Sequence, residues 1–133
     1  MTNLEIYSLL VALQQVGNLS GAKFSYAVAR NINLLSPKIK EYEANRIALL
    51  ESMVKKGKDK KPIMEDIKDQ PGQKKYVLED ETLFNTELKK LQEEDAGDVK
   101  LFMLNVADLP QAITAQQTTG IISIIKDETK NGK

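Results

Sequence analysis

Residues 20–56 constrain this chain more than any other stretch, because they read as one long helix. Apolar residues recur at Phe24, Val28, Ile32, Leu35, Ile39, Tyr42, Leu49, Leu50, Met53 and Val54, mostly three or four apart. That is the spacing a buried helical stripe requires. At about 1.5 Å per residue the rod measures roughly 55 Å, longer than a compact domain of this size is wide. Part of it is therefore expected to pack on something outside its own core. Ser36-Pro37 admits two readings: a new helix with Ser as N-cap and Pro first, or a kink in a continuous rod at the cost of one backbone hydrogen bond. The stripe stays in phase across Pro37, which favours the kinked continuous helix. Ser20 is its expected N-cap.

Thr2 and Glu5 have capping-box spacing and predict a first helix over 3–16, with Ile6, Leu9, Leu10, Leu13 and Val16 inward and Gly17-Asn18 as the stop. Beyond the long helix, residues 57–73 are lysine-rich and polar and are expected to form a mobile connector, with Ile63, Met64 and Ile67 making one tethered helical turn. Lys74–Glu79 reads as a short strand, Asp80 as the cap of a helix over 81–95, and Val99–Val106 as the best strand of the chain. Two strands flanking a helix predict a small βαβ unit, parallel and right-handed if the strands pair directly. Thr114 and Gln117 form a second capping box. It favours a helix over 114–126 against the β-branched, strand-like run Gly120–Ile125. Residues 127–133 are expected to fray. The predicted class is α+β and predominantly α-helical: a long kinked central helix packed by three shorter helices, with a small two-stranded β element, all within a single domain spanning 1–133.

Composition enters chiefly through what it excludes. The chain has no Cys, so disulfides, thiolate nucleophiles and Cys-based zinc sites are ruled out. It has no His either, which removes the commonest general base and metal ligand. No phosphate-binding loop, nucleophile elbow or acid/base pair is recognisable, so a non-enzyme without cofactor is expected. No apolar run reaches the ~18–20 residues of a membrane span, and a cytoplasmic location is the expectation.

Charge is balanced but unevenly placed: residues 1–62 hold ten Lys/Arg against five Asp/Glu, and residues 63–133 nine against fourteen. A basic surface for an acidic or nucleic-acid partner is one reading, and mutual complementation of the two halves is the simpler one. Only two of the bases are Arg, and no aromatics interleave the lysine run, so nucleic-acid binding through Lys55–Lys61 is not favoured. Acidic clusters at Glu79-Asp80-Glu81 and Glu93-Glu94-Asp95 with Asp98 match no calcium loop, and a metal site is not expected there.

Two sets of residues stand out as candidate sites. Lys23, Tyr26, Arg30 and Asn31 lie together near the start of the long helix, where cations beside an aromatic suit a small anionic ligand. The alternative is that Tyr26 is partly core and Arg30 pairs with a carboxylate. Leu49, Leu50, Met53 and Val54 lie at the far end of the stripe, where the shorter helices are not expected to cover them. Such a patch predicts a homo-oligomer. Asn31 and Arg46, polar beside the stripe, either set helix register within such an oligomer or simply flank the stripe.

Glu5-Ile6-Tyr7 opening a short helix, followed by Lys23-Phe24-Ser25-Tyr26-Ala27-Val28-Ala29-Arg30-Asn31 opening a long one, has a recognisable layout. A polar loop, a short helix, the segment Val99–Val106 and Thr114-Ala115-Gln116 before an Ile-rich end continue it. Together these resemble a family of small helical proteins of phages and prophages of Gram-positive bacteria. The lysine loop and the β-branched tail depart from the usual pattern. The resemblance implies a phage product acting in a bacterial host and transfers no functional residue; an unidentified phage or host protein is the expected partner. The expected function is a non-catalytic accessory or assembly protein. The alternative is an anti-defence protein sequestering an anionic signal nucleotide.

Overall fold

A computed structural model describes residues 1–126. The fold is α+β and mainly helical, with α1 (Asn3–Gln15), the long α2 (Ala22–Met53), β1 (Met64–Asp66), β2 (Lys74–Tyr76), α3 (Glu81–Glu93) and α4 (Ala115–Gly120). The described residues group into two compact units. One comprises 1–41 together with 94 onward, and the other 42–93.

The first unit holds the apolar core. Ile6, Leu9 and Leu13 of α1 are buried against Phe24, Val28 and Leu35 of α2, with Leu104, Ile121 and Ile124 completing the cluster. Both faces follow from the sequence spacing. α1 opens on the expected capping box: the Glu5 N–H donates to Thr2 Oγ1 at 3.1 Å, and the Thr2 N–H donates to Glu5 Oε1 at 3.0 Å. These two bonds satisfy donors that a helix start leaves orphaned. The bond from the Thr2 backbone holds the Glu5 carboxyl below its ordinary pKa. Its share of stability is therefore present above the usual carboxylate range and is lost as pH falls through the lowered value. Thr2→Ala is expected to cost about 1 kcal/mol, read from urea denaturation. Glu5→Gln should keep the cap while flattening its part of the acid dependence.

The long helix runs unbroken through Pro37. Burial of Leu35 before it and of Tyr42 after it offsets the missing N–H. The helix begins at Ala22, so Ser20 is not its cap. Gly21 stands there instead, with φ at 126°, and its carbonyl accepts the Ser25 N–H at 2.8 Å. Only glycine adopts that backbone readily.

Residues 99–106 form no sheet strand, and the predicted parallel βαβ unit does not exist. The backbone of this segment bonds elsewhere, first to the buried Asn31. Its Nδ2 donates to the Phe102 carbonyl at 2.9 Å, and its Oδ1 accepts the Phe102 N–H at 2.8 Å. At Phe102 a side-chain amide thus occupies the place of a partner strand. Two residues on, the Leu104 N–H donates to the Ile124 carbonyl at 2.7 Å and the Leu104 carbonyl accepts the Lys126 N–H at 2.9 Å.

That second pairing also corrects the predicted helix over 114–126. The capping box is present, with the Gln117 N–H on Thr114 Oγ1 at 3.1 Å and the Thr114 N–H on Gln117 Oε1 at 3.0 Å. It sustains only Ala115–Gly120. A 3-10 turn follows at Ile122–Ile124, and Ile125 bridges Leu104 in parallel. A Cβ on Gly120 would lie 3.0 Å from the Ala12 Cβ, so glycine permits α4 to approach α1 closely. The cap prevails for six residues, and the β preference of the isoleucines prevails after it.

In the second unit β1 and β2 pair antiparallel, Met64 with Tyr76 and Asp66 with Lys74. The expected helical turn at Ile63, Met64 and Ile67 is replaced by this strand. Three extended segments meet beside it in a closed ring of backbone bonds: Lys55 N–H to Val77 carbonyl at 2.7 Å, Val77 N–H to Ile63 carbonyl at 2.9 Å, and Ile63 N–H to Lys55 carbonyl at 2.8 Å. Val54 bridges Leu78 next to this ring. α3 starts as its sequence predicts, with Asp80 Oδ1 accepting the Leu83 N–H at 2.9 Å.

Candidate functional site

On α2 the buried positions Phe24, Ala27, Val28, Asn31 and Leu35 leave Lys23, Tyr26 and Arg30 on the outward side. Tyr26 and Arg30 are one turn apart, and Arg30 Nη1 donates to Tyr26 Oη at 3.3 Å. Phe102 joins them. Its ring meets Tyr26 edge to face with centroids 5.2 Å apart, and the Arg30 guanidinium carbon lies 5.7 Å from the Phe102 centroid. Both contacts fall in the range where aromatic and cation–π attraction operates. Tyr26 remains 54% exposed and Phe102 36%, so the cluster is ordered yet open to a partner.

The four residues picked out by sequence are thereby divided. Tyr26 and Arg30 form the centre of the patch. Lys23 lies beside it and makes a long ion pair of 3.9 Å to Asp108, with its own side chain 81% exposed. Such a pair holds the lysine only loosely. Asn31 is not a ligand residue: it is fully buried and its amide is bonded to the Ala27 and Phe102 backbones. The expectation that a carboxylate neutralises Arg30 fails among the described residues. Phe102 was hidden from sequence reasoning because the segment around it looked like a strand. The available signal was Asn31 itself, whose spacing from Phe24, Val28 and Leu35 puts an amide on the buried face.

The apolar patch at the end of α2 is smaller than expected. Leu49, Leu50 and Met53 are half-buried, and Val54 is buried at 5% exposure. Val54 belongs to the fold of the second unit because its backbone bridges Leu78. Arg46 lies against Glu43 on the same helix at 2.8 Å. The lysine loop closes as a tight turn, with the Gly57 N–H on the Lys61 carbonyl at 3.0 Å and a bridge between Lys56 and Pro62.

An open groove of about 310 Å³ lies in the first unit between α1 and the α4 end, lined by Met1, Leu4, Leu9 and Ile122 among others. Its one charged side chain, Glu5, is already engaged in the Thr2 cap. The Asp95 carboxyl, held low by the Gly97 N–H and the nearby amino terminus, is likewise occupied locally. Among the described residues no group of three or more acidic side chains is placed to hold a metal ion, and no helix is long and apolar enough to cross a membrane.

Comparison with protein-family models, with curated proteins and with solved structures finds no match to this chain.

Proposed function

We propose that this chain is a non-catalytic accessory protein that works by holding a partner protein on the Tyr26–Arg30–Phe102 patch. The observation that carries the reading is an exposed pair of aromatic rings locked to an arginine that no described carboxylate neutralises. Aromatics and Arg are the side chains that dominate interface energetics, because they contribute large area at little entropic cost. The resemblance of its sequence layout to small phage and prophage proteins favours a phage or host protein as that partner. Tyr26→Ala combined with Arg30→Ala should reduce partner recovery in crosslinking from infected cells at least tenfold, with an unchanged circular dichroism spectrum. Full recovery with the double variant would refute the reading.

A second reading rests on the same groups. The faces of Tyr26 and Phe102 with the free donors of Arg30 suit a nucleotide, base on ring and phosphate on guanidinium. Titration calorimetry with a panel of cyclic and linear nucleotides separates it from the first: nucleotide binding abolished by Arg30→Ala favours the second.

A further inference from the structure

The backbone beside the patch has one edge engaged and the other without a hydrogen-bond partner among the described residues. Along an extended segment, residues two apart direct their N–H and C=O groups to the same edge. Phe102 and Leu104 both use the inner edge: Phe102 on the Asn31 amide, Leu104 on Ile124 and Lys126. Leu101 and Met103 must then present theirs to the outer edge. Among the described residues no group accepts from or donates to the backbone of either. Met103 is 39% exposed, and the neighbouring Val106 is 51% exposed. An edge with unpaired backbone groups beside exposed side chains is a template for one more strand.

Charge selects what that strand is. Lys100 belongs to the segment, the Arg30 guanidinium lies over the Phe102 ring, and Lys23 is exposed one turn or more before Arg30 on α2. Of the carboxylates on the same elements Asp108 pairs loosely with Lys23, and Asp98 makes no ion pair among the described residues. Lys100 and Arg30 have no carboxylate partner among the described residues. Two copies of this chain pairing edge to edge about Phe102 would bring like charges together. An acidic segment would neutralise them.

We infer that the outer edge of residues 101–103 takes an extended acidic segment of a partner protein, added as a strand, with its carboxylates on the face that carries Lys100, Phe102 and the Arg30 guanidinium and its apolar side chains on the opposite face beside Met103. Main-chain bonds supply the grip in such additions and side chains supply the selection. This deepens the interaction reading above and rests on it.

The probe is a labelled ten-residue peptide alternating Glu or Asp with Val or Ile, titrated by fluorescence anisotropy and by amide NMR. Binding should protect the Leu101 and Met103 amides from exchange, leaving those of Phe102 and Leu104 as they were. A peptide N-methylated at alternate residues should bind at least tenfold more weakly. So should the native peptide against the double variant Arg30→Glu with Lys100→Glu, both surface positions where folding is not at stake. A lysine version should not bind. Three outcomes would overturn the inference: equal binding of the N-methylated peptide, equal binding of single-stranded DNA, or protection of Leu101 and Met103 by self-association without peptide. If the inference fails while Tyr26→Ala with Arg30→Ala still releases the cellular partner, strand addition falls and the interaction reading stands.

Discussion

Asn31→Leu is expected to destabilise the first unit by about 2–4 kcal/mol, the range for leaving two backbone groups of a part-buried segment without partners. The wild-type amide donates to the Ala27 and Phe102 carbonyls, both at 2.9 Å, and accepts the Phe102 N–H at 2.8 Å. Leucine fills similar space and satisfies none of these. The Ala27 carbonyl keeps its helical bond, so the loss falls on the Phe102 N–H and C=O. In urea the midpoint should drop, and the Phe102 amide should lose exchange protection first. Asn31→Asp makes a sharper test. Its carboxylate retains the acceptor for the Phe102 N–H but faces two carbonyls, so burial and repulsion raise its pKa in the folded state. The folded state then binds more protons than the unfolded one between the two pKa values. Stability should therefore be highest at low pH and decline as pH rises through the raised value. A midpoint within about 0.5 kcal/mol of wild type for Asn31→Leu, the ordinary scatter of surface changes, would show that the amide is not what holds Phe102 in place.

Helices were legible in this sequence wherever local chemistry and packing agree. Thr2 with Glu5, Asp80 with Leu83 and Thr114 with Gln117 each start a helix at the predicted position, because a cap needs only residues three apart. The passage of α2 through Pro37 was legible too, since the stripe from Leu35 to Tyr42 stays in phase. Extended structure was not. Val99–Val106 has the alternation of a strand, but alternation does not say what pairs with it, and here the partners are one amide 71 residues away in sequence and the backbone around Ile125. Met64–Asp66, with all three residues exposed, has no hydrophobic pattern and gains its strand character only from Lys74–Tyr76 across the turn. The patch was half legible for the same reason. Tyr26 and Arg30 share a helix face and could be paired by counting, whereas Phe102 arrives through the long-range bond of Asn31.

Val54→Glu is expected to unfold much of the second unit, with a loss on the order of 3–5 kcal/mol at neutral pH for an ionised carboxylate forced into a nearly closed site. Val54 is 5% exposed, and backbone bonds join its neighbours to the 77–79 segment. The Lys55 N–H lies on the Val77 carbonyl at 2.7 Å and the Glu79 N–H on the Met53 carbonyl at 3.0 Å, on either side of the Val54–Leu78 bridge. The glutamate either splits these segments or stays inside with a raised pKa. In the second case the folded state holds its proton longer than the unfolded chain does. The variant should then regain stability as pH falls below the raised value, opposite in sign to the behaviour expected of Glu5. Leu50→Glu, at a half-buried position on the same helix, should cost far less. The contrast between the two variants decides what the end of the stripe is for. Loss of amide protection at Lys55, Val77 and Glu79 in Val54→Glu, with little change in Leu50→Glu, marks Val54 as part of the fold. A folded, monomeric Val54→Glu variant of a dimeric parent, seen by light scattering, would instead return Val54 to an interface between two copies of the long helix.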